Sequence, residues 1–323
     1  MEKEVLINRL RDNLKYKGII CEKIKISKDK ESNWSYEIKM LVSERNETSI
    51  SEKLFATFRP EITKEEWNKK FLMAISGDGQ ELRRITTLHS SSLLALLFFC
   101  HVSKSNPIEI EGAIFDKVYF EVKNKVFKNA DSKDKPSNVD IMLVSKDNNT
   151  ILFLESKFTE YAHNGKVEVS EKYFNFYSNL CEFISNLKFS NGVLTLKEGR
   201  NSQYIYGIKQ MFSHLIGLLT EPWKESSNEI KELIQNAQKL ELGSVVFNWD
   251  QSLYEKYSNF YNDIFQYFND NSDILNKCLD DNEVYKDKIN KVSILTNILS
   301  YQDLLKNNPS FIISEEIKSF YSL

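Results

Sequence analysis

The spacing of apolar and polar positions divides the chain into elements. Residues 3–16 repeat apolar positions at helical intervals and predict a short amphipathic helix. Ile19 to Ile26 and Trp34 to Val42 predict strands, separated by the polar turn Lys28-Asp-Lys-Glu-Ser-Asn33. Residues 50–75 predict helix interrupted at Pro60, with Thr63-Lys-Glu-Glu66 as a capping box that restarts it. After the glycine-bearing turn Gly77-Asp-Gly-Gln-Glu81, Ser90 to Ser92 supply N-cap residues for an apolar helix from Leu93 to His101. Three β stretches follow, Lys117 to Phe127, Asn138 to Lys146 and Thr150 to Phe158. Residues 168–188 and Gln203 to Leu219 read as helices, and Gly243 to Trp249 as a strand. Beyond Asp250 the pattern is mainly helical, with a late strand over Val292 to Leu299. The order from residue 90, α-β-β-β-α-α-β, predicts an α/β (α+β) fold with a mixed sheet flanked by helices. It divides as an N-terminal α+β extension (1–75), a core (76–250) and a mainly helical C-terminal extension (251–323) packed on the core.

The centre of the pattern is a hairpin. Two apolar runs, Val139 to Val144 and Ile151 to Leu154, flank the polar turn Lys146-Asp-Asn-Asn149. A loop of Asp147-Asn148 sets Asp140 opposite Glu155, and a loop of Asn148-Asn149 sets it opposite Lys157. In both registers Asp140, Glu155 and Lys157 share a face, because strand side chains alternate. Both faces are otherwise apolar: Met142, Val144, Ile151 and Phe153 on one, Val139, Ile141, Leu143, Leu152 and Leu154 on the other. These are therefore interior strands covered on both sides. Two carboxylates and a lysine in such a place are costly unless paired. A divalent cation offsets the cost, and carboxylate oxygens suit Mg²⁺. The lysine can orient or help deprotonate an attacking water, or neutralise charge developing on a phosphate. A salt-bridge network is the alternative reading of the same trio.

Composition narrows the classes. The 323 residues are 41% hydrophobic and 28% charged, values of a soluble globular protein and not of a disordered one. A net charge of −3 excludes a uniformly basic nucleic-acid coat, so binding to DNA needs a local basic surface. Cys21, Cys100, Cys181 and Cys278 form no CxxC pair and read as reduced thiols. The start Met1-Glu-Lys-Glu lacks a signal-peptide core, and the longest apolar run, Leu93 to Cys100, is too short to span a membrane. A cytoplasmic location without membrane association is expected.

Asp140 followed by Glu155-Ser-Lys157, inside this element order, resembles the PD-(D/E)XK nuclease superfamily over roughly residues 77–250. Pro136 stands four residues before Asp140 instead of adjacent to it. More narrowly, Gly77-Asp-Gly-Gln-Glu81, His89-Ser-Ser-Ser92, Tyr119-Phe-Glu121, Leu154-Glu-Ser-Lys-Phe-Thr-Glu-Tyr161 and Tyr204-Ile-Tyr-Gly-Ile-Lys-Gln-Met211 resemble a bacterial group of restriction endonucleases. The resemblance implies a restriction-endonuclease-like core over 76–250 and a Mg²⁺-dependent endonuclease acting on DNA, with Mn²⁺ able to substitute. Asp140, Glu155, the Ser156 carbonyl and Glu81 are the implied metal ligands, and Lys157 and Gln210 the catalytic partners. Glu81 closes a GxxxE pattern like that of some members and is preferred to Glu121, which reads as a strand-edge charge. His214 shares a helix face with Gln210 and reads as a polar packing residue, and His89 with its serines as a helix cap. Arg83, Arg84, Lys166, Arg200 and Lys209 are the expected backbone contacts. A homodimer, or a partner protein of a defence or restriction system, fits the same resemblance. The competing expectation is a non-catalytic nucleic-acid-binding or assembly subunit that keeps only the fold.

Overall fold

The computed structural model describes residues 3–25, 34–77, 81–126, 136–162, 164–168, 201–205, 208–220, 222–270, 272–280, 291–295 and 297–323. Helix α1 (Lys3–Lys15) buries Leu6, Leu10 and Leu14, spaced by four, and it forms where the periodicity places it. Strands β1 (Cys21–Lys25) and β2 (Trp34–Ile38) pair antiparallel as a separate two-stranded sheet. Asn46 caps α2 (Glu47–Phe58), and Arg59 ends it in the left-handed region just before Pro60. Thr63 and Glu66 make the reciprocal capping box that starts α3 (Lys64–Ala74). The short α4 (Glu81–Arg84) precedes α5 (Ser91–Phe99), whose Ser90 cap accepts from the Leu93 N–H. Every residue from Leu93 to Phe99 is buried, so the apolar run is an interior helix. Among the described residues no helix is long and apolar enough to cross a membrane.

The main sheet has seven strands. Strands β3 (Ile108–Ile110), β4 (Ala113–Asn124), β5 (Ser137–Ser145) and β6 (Thr150–Lys157) form an antiparallel meander. Beyond β6 the sheet turns parallel: β9 (Lys239–Val246) joins β6, and both β10 (Lys291–Ile294) and β11 (Leu299–Ser300) join β9. A separate ladder pairs β7 (Asn164–Glu168) with β8 (Asn201–Ile205). Helices α6 (Ile208–Leu219), α7 (Asn228–Asn236), α8 (Gln251–Asp270), α9 (Ser272–Asp280), α10 (Tyr301–Asn307) and α11 (Glu315–Tyr321) complete the described elements. This is the expected α+β architecture, a mixed sheet flanked by helices. The centre of the hairpin, Ile141 to Val144 and Ile151 to Leu154, is 0% exposed, so both faces are covered. Helix α5 packs against β5 and β6, and α6 against β4, β5 and β9.

Several boundaries differ from the sequence expectation. The helix expected from Gln203 begins at Ile208, and Asn201–Ile205 is strand β8. A short run such as Gln203-Tyr-Ile205 satisfies either period, and its partner strand decides. The strand expected over Gly243 to Trp249 is Lys239–Val246, and the late strand splits into β10 and β11. These last two lie in the central sheet, which therefore extends past residue 250. Strand β3 was not anticipated, and the helix expected over 168–188 lies outside the described residues except for the end of β7.

One glycine sets how closely α6 approaches the sheet. A Cβ on Gly217 would stand 2.9 Å from the Asn124 Cβ on β4, closer than carbon atoms pack. Only glycine lets the helix sit at this depth, which matters because α6 carries Gln210 and His214.

Candidate active site

The hairpin turn is built from its own polar side chains. Asp147 Oδ1 accepts from Ser145 Oγ at 2.6 Å and from the Asn149 N–H at 3.0 Å, while Asn148 takes a left-handed φ of 60°. Pairing runs Val144 with Ile151 through to Ile141 with Leu154. Continued by one step, this register sets Asp140 opposite Glu155, as the Asp147-Asn148 loop requires. The ladder stops there. Strand β6 goes on alongside β9, with Glu155 beside Ser244 and Lys157 beside Val246, while β5 stays with β4, Val139 beside Val122. The strands part at the charged residues, and Asp140 Oδ2 bridges the gap by accepting the Ser156 N–H at 2.7 Å. Ser156 points the other way, donating to the Ser91 carbonyl at the start of α5 and meeting the Tyr301 hydroxyl at 2.8 Å.

Glu155 and Lys157 therefore face α6, and each meets one of its side chains. Glu155 Oε1 accepts from Lys157 Nζ, and Glu155 Oε2 lies 2.8 Å from His214 Nε2. Lys157 Nζ also donates to Gln210 Oε1 at 2.8 Å, and His214 Nδ1 lies 2.6 Å from Ser137 Oγ. Burial opposes ionisation of Glu155, but Lys157 and His214 outweigh it and bring the carboxyl down to about 2. Lys157 is pulled both ways: burial disfavours its ammonium, while Glu155 and Asp140 hold it charged and raise its pKa. Asp140 shifts upward, first from burial and then from the neighbouring Glu155 charge, against the opposing effects of Lys157 and the Ser156 N–H. The two carboxyls thus have opposite tendencies, one a firm anion and the other reluctant to ionise.

All of these side chains except Ser156 line one cavity of about 530 Å³, which Glu81, Glu121, Glu160 and Arg84 also reach. Glu121 stands between Phe120, paired with Ile141, and Val122, paired with Val139, which puts it opposite Asp140. Its φ of 50° is unusual for a residue bearing a Cβ, and it is buried. Glu81 comes from the first turn of α4. Glu121 Oε2 and the Glu81 carboxyl carbon each lie 2.6 Å from where a Cβ on Gly77 would stand, so both acids crowd that glycine. The strand-edge reading of Glu121 is thereby corrected: it is a buried cavity residue, on the face that its place opposite Asp140 gives it. Glu81 reaches the same cavity.

The basic residues are less assembled. Arg84 lines the cavity and Arg83 is exposed outside its wall. Lys166 lies on β7 and Lys209 on α6, with side chains outside the described residues, as is Arg200. Lys123, not anticipated, lines the cavity and donates to the Ser76 carbonyl at 2.7 Å. Ser137 was also missed; a serine at the first position of a strand carries no signal until its helix partner is known. His89 binds Ser35 Oγ at 2.5 Å and takes no part in this cavity. The free thiols Cys21 and Cys100 are pushed by burial up to about 11 and 12 and are not reactive thiolates.

The donors Asp140, Glu155, Glu81 and the Ser156 carbonyl are hard oxygens, which suit Mg²⁺ or Mn²⁺. As they stand they are arranged around hydrogen bonds: among the described residues no group of three or more His, Cys, Asp or Glu side chains is placed to hold a metal ion. A carboxylate has about four acceptor positions, so Glu155 keeps capacity beyond the two contacts it makes.

No curated protein and no solved structure matches the chain. Residues 28–217, more than half of its length, match the family described as Restriction Endonuclease associating with ARP. That span includes the whole hairpin and the α6 residues that meet it. The chain accordingly belongs to this restriction-endonuclease family, and its role is nuclease-like.

Proposed function

We propose that the chain is a metal-dependent endodeoxyribonuclease of PD-(D/E)XK type, with Asp140, Glu155 and Lys157 as its centre. The observation that carries this reading is the parting of β5 and β6. It opens a cavity where Asp140 lies opposite Glu155 and Lys157 lies two residues along on the same face. Asp140, Glu155 and the Ser156 carbonyl would hold Mg²⁺ or Mn²⁺, with Glu81 or Glu121 as a further acid. Bound there, the cation supplies charge neutralisation at the scissile phosphate and acidifies a water. Lys157 keeps a buried positive charge beside the phosphate position, and Gln210 fixes the direction of its amine. Arg84 and Lys123 on the cavity wall supply part of the local basic surface that a chain of net charge −3 needs to contact the DNA backbone. The family description names a partner, ARP, and we extend that association to this chain as part of a restriction or defence system.

One observation favours a second reading, a structural ion-pair cluster. Glu155, Lys157, His214 and Gln210 already satisfy one another. The two readings separate in a cleavage assay on mixed DNA substrates with Mg²⁺ and with Mn²⁺. Metal-dependent cutting supports the nuclease, and no cutting together with no thermal stabilisation by either metal supports the structural cluster.

A further inference from the structure

Helix α6 and strand β6 are matched in spacing at the site. Two residues along a strand cover about 7 Å, and four residues along a helix cover about 6 Å. Gln210 and His214 therefore sit level with Lys157 and Glu155, and each pair is hydrogen-bonded. His214 differs from Gln210 in having a second anchor. Its ring is 2% exposed, Nδ1 lies 2.6 Å from Ser137 Oγ, and Ser137 is itself buried on β5. A carboxylate oxygen only accepts, so His214 Nε2–H is the donor of that bond. The ring thus spans the gap where β5 and β6 part, tied to Ser137 on one strand and to Glu155 on the other.

We propose that the Ser137–His214 pair is a positioning device for Glu155. From the cavity wall it fixes the carboxylate plane relative to Asp140, acting through Glu155, and so sets the affinity and the competence of the metal site. The inference rests on the nuclease reading. Its physical basis is that a ligating carboxylate is held by outer hydrogen bonds whose loss typically costs 10–100-fold in metal affinity or activity. Lys157 bonds Oε1 of Glu155, and His214 on α6 bonds Oε2.

The test compares wild type with His214→Ala, His214→Gln and Ser137→Ala. Mn²⁺ binding is followed by calorimetry, Mg²⁺ stabilisation by thermal melts, and cleavage is split into kcat and KM for DNA. His214→Ala is expected to weaken Mn²⁺ binding and lower kcat by about 10–100-fold, with KM for DNA unchanged. His214→Gln keeps an N–H donor and is expected to recover part of both losses. Ser137→Ala is expected to shift both in the same direction by less. A folded His214→Ala protein with wild-type Mn²⁺ affinity overturns the inference, as does a folded His214→Gln protein no better than His214→Ala. If His214→Ala does not fold, His214→Gln and Ser137→Ala decide: wild-type Mn²⁺ affinity and kcat in both overturns it. A wild type that neither binds Mn²⁺ nor cuts DNA overturns the nuclease reading and the inference together, whereas an active wild type with unaffected variants overturns the inference alone.

Discussion

Asp140 Oδ2 accepts the backbone N–H of Ser156, the residue between Glu155 and Lys157, at 2.7 Å. A side chain here takes over where the β5–β6 ladder has ended, holding the two strands together at the point where they diverge. Among the described residues this bond and the attraction of Lys157 favour the Asp140 anion, while burial together with Glu155 raises its pKa.

The raised pKa gives a sign for stability. A carboxyl whose folded pKa lies above its unfolded value opposes folding increasingly as pH climbs from about 3.8 through the folded value. Asp140→Asn is therefore expected to raise the metal-free melting temperature at neutral pH. The same variant is expected to lose the stabilisation that Mg²⁺ gives the wild type. Melts with and without Mg²⁺ check both, and a lowered metal-free melting temperature would contradict the electrostatic account.

Glu155 behaves oppositely. Two neighbouring acids repel each other, but Glu155 is paired on both oxygens. Its folded value of about 2 lies below the ordinary 4.5, so its contribution is present above pH 4.5 and is lost as pH falls through 2. Glu155→Ala strands the buried Lys157 charge and is expected to destabilise by about 3–5 kcal/mol. Urea melts at neutral pH check this, with an unchanged midpoint as the contrary result.

His101 adds a second acid-sensitive group remote from the chemistry. Burial brings it down to about 4 from 6.5, and its Nε2 accepts the Glu61 N–H at 3.1 Å. A histidine lowered on folding destabilises as pH falls from 6.5 towards 4, by about 3 kcal/mol at one pKa unit per 1.36 kcal/mol. His101→Gln is expected to flatten stability over that window, measured by denaturant melts at several pH values.

Gly217→Ala tests the seating of α6. The added Cβ meets the Asn124 Cβ, which cannot swing aside, so the cost is about 1–3 kcal/mol of overpacking. The helix shift also displaces Gln210 and His214, and a displacement of about 1 Å at such a site can cost on the order of 10²-fold in rate. Cleavage rate at saturating DNA is the readout; wild-type activity in a folded variant would show that α6 does not set the geometry.

The hairpin was legible because two apolar runs of period 2 on both faces leave few alternatives, and its polar turn narrows the register to two. Asp140, Glu155 and Lys157 follow from that register. What could not be read depends on pairing between distant segments. The insertion of β9 between β6 and β10 leaves no local trace, nor does β8 replacing the first turn of a helix. Glu121 was misjudged because its place in the cavity comes from the β4–β5 pairing that sets it opposite Asp140, which its neighbours' apolar pattern does not announce. His214 was visible as a neighbour of Gln210 on a helix face, but its role needs the Ser137 and Glu155 contacts.

Lys157→Ala separates charge from metal binding. It is expected to keep Asp140 and Glu155 available to metal while lowering the cleavage rate by on the order of 10²-fold or more. Mn²⁺ calorimetry and single-turnover cleavage report the two quantities separately. Loss of metal binding equal to the loss of rate would contradict a role for the amine in the chemical step.

The central claim is tested most directly by cleavage of DNA by the wild type and by Asp140→Ala, each with Mg²⁺ and with Mn²⁺. The account predicts metal-dependent cutting by the wild type and none by the variant under either metal. Full cleavage by a folded Asp140→Ala protein, on a substrate that the wild type cuts, would contradict it.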